Sequence, residues 1–304
     1  PVAGPTRLRP LVAIVIGVML GSSFTPALFD HIILWAPSLI LMVVYLIAAA
    51  LVVVPFYRKI AGFDLSTAYF AGMPGGLMEM MIIGKDVGAD ERSIILAHTS
   101  RIVLVVTLVA IWFRVVQGID LSDRSQFGIP FSEIPEHELI ILAIVGAFGY
   151  FLGRFLNLPA PMLLGPIIVS AAVYSLGIIH NPPPRELVII AQIFLGTIVG
   201  CRFVGTKPKA ILRAIGLGLG ATTLMLILTF SFAFAFYQMF GQTLEQLVLA
   251  YSPGGLAEMS LVALAMNADI AYVASHHLLR ISFVMMMAPI LFKFVSRADN
   301  DLKK

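Results

Sequence analysis

Charge is scarce in this chain. Only 12% of its 304 residues are Asp, Glu, Lys or Arg, about half the share usual in soluble proteins, so a water-exposed globule is excluded. There is one cysteine, Cys201. It rules out an intrachain disulfide and is expected to be a buried, inert thiol. The six histidines are scattered and never fall with cysteine or carboxylates at metal-ligand spacing. No metal centre and no cofactor are therefore expected. The formal charge of +3, without a basic stripe, argues against a nucleic-acid partner. No signal peptide is legible. The chain starts at Pro1 without an initiator Met, and residues are expected to precede it.

Apolar residues fill the space that charge leaves. They make up 59% of the chain, and the mean hydropathy is +0.96. The run 32–55 carries no charged residue and exceeds the roughly 20 residues a helix needs to cross the hydrocarbon core. Apolar runs bounded by turn residues predict spans over 8–24, 32–55, 93–113, 139–155, 162–179, 187–204, 211–239 and 270–292. Two further stretches, 67–84 and 244–266, are apolar but interrupted. Between the halves lies a polar segment, 115–138, with Asp120, Asp123, Arg124, Glu133 and Glu136. The fold class is all-α: a polytopic membrane protein with membrane lipid as its surroundings.

The interrupted stretches are copies of one another. Pro74-Gly75-Gly76-Leu77-Met78-Glu79-Met80 returns as Pro253-Gly254-Gly255-Leu256-Ala257-Glu258-Met259, identical at six of seven positions. The same offset pairs Ala89-Asp90 with Ala268-Asp269, and His98-x-x-Arg101-Ile102 with His277-x-x-Arg280-Ile281. Upstream it pairs Gly17-x-x-x-Gly21-x-x-Phe24 with Gly196-x-x-x-Gly200-x-x-Phe203, and Pro5 with Pro184. A constant offset over separated patches indicates a tandem duplication. It divides the chain into repeat 1 (1–114), a polar linker (115–137) and repeat 2 (138–304). The helices at 139–155 and 162–179 have no counterpart in repeat 1. Their partners are expected before Pro1, on the order of 45 residues if the repeats are equal. That would give eight spans in this chain and ten with those helices restored.

A Pro-Gly-Gly in mid-stretch breaks a helix, because Pro lacks the amide donor and Gly weakens the backbone. The result is either a broken spanning helix or a re-entrant hairpin with the Pro-Gly-Gly at its tip. Re-entrance puts Arg7/Arg9, Arg58/Lys59, Lys85/Arg92, Arg154, Arg202/Lys207/Lys209 and Lys293/Arg297/Lys303/Lys304 on one side. Asp30, the acidic 115–138 segment and the 181–185 loop then face the other side. This satisfies the positive-inside rule better than a spanning reading and makes the C-terminus cytoplasmic. It leaves an odd number of spans per repeat, so the repeats are inverted, as in many secondary transporters.

Two tips of opposite orientation would meet near the bilayer midplane. Their exposed amides and half-helix starts suit a small anion, and carbonyls ending the preceding half-helix suit a cation such as Na⁺. The candidate substrate-binding residues are Pro74, Gly75, Gly76, Glu79 and Arg101, with Pro253, Gly254, Gly255, Glu258 and Arg280. Glu79 and Glu258, with His98 and His277 one turn before each Arg, are candidates for proton or ion coupling. Plainer roles stand beside these. The Pro-Gly-Gly could merely kink packed helices, Glu79–Arg101 and Glu258–Arg280 could be structural ion pairs, and the histidines could be packing residues. His276 adds a neighbour in repeat 2 only. The two Gly-x-x-x-Gly patches are expected to permit close helix packing, and 158–166 (Leu-Pro-Ala-Pro-Met-Leu-Leu-Gly-Pro) to form a structural corner.

These motifs together resemble the AbrB membrane family, a duplicated bacterial integral-membrane family distinct from the soluble DNA-binding regulator of the same name. The resemblance covers essentially the whole chain. It implies a protein of the bacterial inner membrane with a suspected transport role and a proposed link to gene regulation. An ammonia monooxygenase label sometimes given to the family finds no support in these residues, since copper chemistry needs clustered histidine ligands. The leading expectation is a non-enzymatic secondary transporter of a small anionic organic solute, coupled to H⁺ or Na⁺, in which one bundle carrying both hairpins moves against a scaffold. The alternatives are a ligand-sensing regulatory membrane protein and a membrane oxidoreductase. The Gly-x-x-x-Gly helices also invite a homodimer.

Overall fold

The computed structural model describes residues 8–24, 26–118, 129–158 and 160–301. Pro5, Arg7, Asp120, Asp123, Arg124, Lys303 and Lys304, and the side chains of Arg9, Asp30 and His31, lie outside the described residues. The described residues are helical, with no strand among them. The helices in chain order are α1 (Arg9–Gly21), α2 (Pro26–Lys59), α3 (Leu65–Gly72), α4 (Leu77–Asp86), α5 (Glu91–Val115), α6 (Glu136–Phe155), α7 (Pro161–Ser175), α8 (Arg185–Gly200), α9 (Pro208–Phe236), α10 (Leu244–Tyr251), α11 (Leu256–Ala265) and α12 (Ile270–Asp301).

Six of these are long and apolar enough to cross a membrane: Leu34–Lys59, Glu91–Val115, Glu136–Phe155, Arg185–Phe203, Pro208–Phe236 and Ile270–Asp299. In the Arg185–Phe203 span only 17% of the best apolar window is buried by the protein. The remaining apolar surface requires lipid, and the architecture is that of a polytopic membrane protein. Two expected spans are shorter than their hydropathy implies. Over 8–24 the helix α1 has 13 residues, and over 162–179 the helix α7 has 15, about 20 and 22 Å at 1.5 Å per residue. Local chemistry ends them. The Ser22 hydroxyl turns back to the Met19 carbonyl at 2.6 Å, and Gly177 after α7 adopts φ +67°, a left-handed helix stop.

The chain divides into two compact units, residues 1–36, 117–204 and 260–274, and residues 37–116, 205–259 and 275–304. In the first unit α1, α6 and α7 pack through glycine. A Cβ on Gly17 would lie 2.6 Å from the Leu163 carbonyl oxygen, and one on Gly149 would lie 2.5 Å from Pro166 Cα. The Ser170 hydroxyl reaches from α7 to the Val18 carbonyl at 2.8 Å. Gly17 and Gly21 thus serve the close packing expected of them. Gly196 and Gly200 are not in such contact among the described residues: no described atom lies within 4 Å of a Cβ built on either. Cys201 is half-buried instead of buried.

In the second unit both interrupted stretches break at the Pro-Gly-Gly. Helices α3 and α10, and likewise α4 and α11, begin and end on residues that the sequence repeat pairs with one another. Their caps also correspond. Asp64 accepts from Thr67 N at 3.2 Å and Thr243 from Gln246 N at 3.2 Å, each starting its first half-helix. Helix α4 folds back along α3 instead of continuing it, since a Cβ on Gly84 would touch Phe70 Cβ at 3.4 Å. The Tyr69 hydroxyl donates to the Ala288 carbonyl at 3.0 Å and anchors this hairpin on α12.

Candidate functional site

The hairpin breaks expose main-chain carbonyls that no helix satisfies, and one buried arginine meets each set. Arg101 Nη1 donates to the Met73 carbonyl at 3.1 Å. Arg280 Nη1 donates to the Ser252 carbonyl at 2.5 Å, and Arg280 Nη2 donates to the Gly254 carbonyl. Met73 and Ser252 are paired by the same sequence offset that pairs the two Pro-Gly-Gly segments. Only 3% of Arg101 and 2% of Arg280 is exposed. These bonds staple each helix break to the helix that carries the arginine, a role the sequence suggested for ion pairs. No ion pair joins Glu79 to Arg101 among the described residues. The cation held by the break carbonyls is the guanidinium, at the position where Na⁺ was considered.

Each arginine is oriented in turn by its histidine. Arg101 Nη2 lies 3.0 Å from His98 Nδ1, and Arg280 Nη2 lies 2.8 Å from His277 Nδ1. Guanidinium only donates, so both Nδ1 atoms accept. The opposite ring nitrogens face carbonyl oxygens, His98 Nε2 at 2.8 Å from Phe70 O and His277 Nε2 at 3.0 Å from Leu249 O. Carbonyls only accept, so both Nε2 atoms donate. The two histidines share one tautomer and one task, holding guanidinium against hairpin.

Glu79 and Glu258 lie at the starts of α4 and α11. A Cβ on Gly76 would collide with the Glu79 carboxylate, and one on Gly255 with that of Glu258. Each carboxylate therefore covers the glycine that opens its half-helix, where the positive end of the helix dipole lies. The anion at these half-helix starts is the protein's own. Gly75 and Gly254 are covered by Met80 and Met259 respectively, at 3.1 and 2.7 Å from a built Cβ. Pro74 and Pro253 are buried at the breaks.

Sequence reasoning missed the polar residues behind the arginines. Tyr45 is buried, with its hydroxyl 2.9 Å from the Thr229 hydroxyl. Tyr251, edge-to-face with Tyr45 at 5.4 Å, donates to the Ser38 carbonyl at 2.6 Å. The Ser38 hydroxyl lies 2.7 Å from His276 Nε2. Two signals could have marked them: Tyr45 is the one acidic hydroxyl in the 32–55 run, and Tyr251 closely precedes the second break. Among the described residues, no group of three or more His, Cys, Asp or Glu is placed to hold a metal.

Two helix breaks, each held by a buried Arg–His pair, among long apolar helices define a polytopic membrane protein with polar groups buried among its helices. Over residues 1–296 the chain matches the family described as "Transition state regulatory protein AbrB", and it belongs to that family. It is similar to "Uncharacterized protein YhjN" of Bacillus subtilis (strain 168), with 25% identity over 96% of this chain and 79% of the relative. It is also similar to "Putative regulator AbrB" of Escherichia coli (strain K12), with 24% identity over 93% of this chain and 81% of the relative.

Proposed function

We propose that this protein is a secondary active transporter of a small anionic organic solute, working by alternating access in a bacterial inner membrane with its C-terminus cytoplasmic. One observation carries the reading: Arg101 and Arg280 are buried cations whose Nε–H groups have no hydrogen-bond partner among the described residues. Buried polar groups are rarely left unpaired, and unused guanidinium donors suit a carboxylate. Both Pro-Gly-Gly breaks and both arginines belong to one compact unit, as a mobile substrate-carrying body requires. The helix bounds and bonds that correspond between the repeats favour the inverted repeat such transporters use.

Coupling is to H⁺ or Na⁺. The break carbonyls already hold guanidinium, which favours a proton carried by Glu79 and Glu258. Protonating or swinging either carboxylate frees its half-helix start for the solute's carboxylate. No enzymatic step and no cofactor are part of this reading. Uptake by proteoliposomes of purified protein tests it, across a broad carboxylate panel and under H⁺ and Na⁺ gradients. Accumulation lost in Arg280→Lys is the expected result. No accumulation of any solute under either gradient would sink the proposal.

A second reading, a ligand-sensing regulator without net transport, draws on the family's description as regulatory. Solute exchange across the proteoliposome membrane separates the two. A regulator binds solute and shows thermal stabilisation, but exchanges none.

A further inference from the structure

Where the ends of α2, α5 and α9 meet in the second unit there is a cavity of about 360 Å³. Its floor is apolar and aromatic: Tyr57 and Phe63, stacked with ring centroids 5.6 Å apart, and Leu96. Its rim carries three cations, Arg92, Lys207 and Arg213. The rim's carboxylate, Asp90, is occupied as the cap of α5, accepting from Arg92 N at 3.2 Å, Ser93 N at 3.3 Å and the Ser93 hydroxyl at 2.5 Å. None of the three cations forms an ion pair among the described residues. Arg92 Nη2 makes long bonds to the Gly205 carbonyl and Thr206 hydroxyl, 3.3 and 3.4 Å, and Arg213 Nη2 donates to the Ala61 carbonyl at 2.9 Å. The Lys207 ammonium has no hydrogen-bond or ion-pair partner among the described residues.

Two further facts make this excess of positive charge costly to the fold alone. Helix α9 begins with Lys207 before it and Lys209 in its first turn, with no acidic residue there and no side-chain cap. Cations at a helix start oppose the dipole. Nor does the repeated architecture require them: the positions that the repeat pairs with Arg92, Lys207 and Arg213 hold Ala271, Leu28 and Leu34. The cavity also lies at the termini of three membrane-length helices, where the head groups of a bilayer fall when such helices span its hydrocarbon core.

We infer that this cavity binds a phosphate-bearing anion, with Arg92, Lys207 and Arg213 holding the phosphate and the Tyr57–Phe63–Leu96 floor receiving the organic part. The phosphate belongs to an anionic phospholipid head group or to a soluble phosphate ester, and the experiment separates the two. The site is independent of the transport reading.

Native mass spectrometry of the purified full chain with phosphatidylglycerol or phosphatidylcholine measures the lipid arm. Thermal shift with glycerol 3-phosphate measures the soluble arm. A cation at the membrane surface contributes about a 5-fold change in affinity for anionic lipid, so Arg92→Gln with Arg213→Gln is expected to weaken the bound anion about 30-fold. Arg92→Lys with Arg213→Lys should retain most binding. Phosphatidylglycerol preferred over phosphatidylcholine and lost in the double Gln variant assigns the lipid; stabilisation by glycerol 3-phosphate lost in the same way assigns the ester. Lys207→Gln alone, at an exposed position, should weaken binding about 5-fold and replaces the double variant if that aggregates. Equal binding by wild type and these variants, or no binding in either arm, overturns the inference.

Discussion

Arg280 Nη2 donates to His277 Nδ1 at 2.8 Å, and the same imidazole donates from Nε2 to the Leu249 carbonyl at 3.0 Å. A ring with both nitrogens so engaged has no free lone pair for a travelling proton. Nitrogen-15 spectra of the labelled protein at neutral pH should place the His277 hydrogen on Nε2; a hydrogen on Nδ1 contradicts this arrangement. His277→Ala removes the acceptor of a charged donor and the donor to Leu249. A bond to a charged group contributes about 1.5–3 kcal/mol, so the melting temperature in detergent should fall by the equivalent of at least about 2 kcal/mol. His98→Ala should behave likewise, because its partners correspond one for one.

Asp64 gives the first hairpin a dependence on acid. Burial pushes its carboxyl upward, but the Ser66 hydroxyl and the Thr67 amide and hydroxyl hold it below the ordinary carboxyl value. A lowered folded-state pKa stabilises the protein above the unfolded carboxyl value, about 3.9, and the gain disappears as pH falls through the folded value. The group is largely exposed, so solvent screens the effect and keeps it small. Asn caps helices about as well as Asp but does not titrate. Asp64→Asn should therefore match wild type near neutrality and lose wild type's added stability loss below about pH 4. Asp64→Ala should cost about 0.5–2 kcal/mol at neutral pH. Thermal unfolding of the three proteins between pH 3 and 7 checks both statements, and identical slopes for wild type and Asp64→Asn would contradict the first.

How much of this was legible in the sequence depends on whether the signal is local. The breaks at Pro74-Gly75-Gly76 and Pro253-Gly254-Gly255 were legible because helix breakers act where they stand, and so were the spans at 93–113 and 270–292. The partners of Arg101 and Arg280 were not, because a main-chain carbonyl carries no residue identity. Acidic side chains three residues past the glycines drew attention instead, and they fold back over Gly76 and Gly255. The Ser38–Tyr251 and Ser38–His276 contacts link residues 213 and 238 positions apart, beyond any periodicity. Hydropathy also overran α1 and α7, because it averages across Ser22 and Gly177, where the backbone leaves the helix.

The first unit offers a packing test. A Cβ on Gly165 would collide with the Gly149 carbonyl oxygen, and one on Gly149 would lie 2.5 Å from Pro166 Cα. Both obstacles are backbone, so neither can rotate away, and α6 and α7 would have to separate. Overpacking of this kind costs about 1–3 kcal/mol. Gly165→Ala should sit at the upper end, seen as a lower melting temperature in detergent. Gly196→Ala meets no described atom within 4 Å and should leave that temperature unchanged within about 0.5 kcal/mol. Equal effects of the two substitutions would contradict the packing of α6 on α7.

The glycines that open the half-helices call for a different outcome. A Cβ on Gly76 or Gly255 meets the carboxylate of Glu79 or Glu258, the far end of a flexible side chain that can swing away. Gly76 has φ −65° and ψ 135°, a conformation alanine adopts without strain, and Gly→Ala at such a site gains about 0.4–1 kcal/mol through the unfolded chain. Gly76→Ala and Gly255→Ala should therefore fold with melting temperatures near wild type, the gain offset by about 0.3–1 kcal/mol of lost charge–dipole contact, and with the carboxylates displaced from the half-helix starts. On the transport reading, displacement leaves solute binding possible while loosening its link to protonation. The pH dependence of solute-induced stabilisation should flatten in the double variant, with affinity at neutral pH unchanged or higher. A double variant that binds solute with wild-type pH dependence would separate Glu79 and Glu258 from coupling. Lost affinity at unchanged stability would instead mean that the glycine surfaces themselves touch the solute.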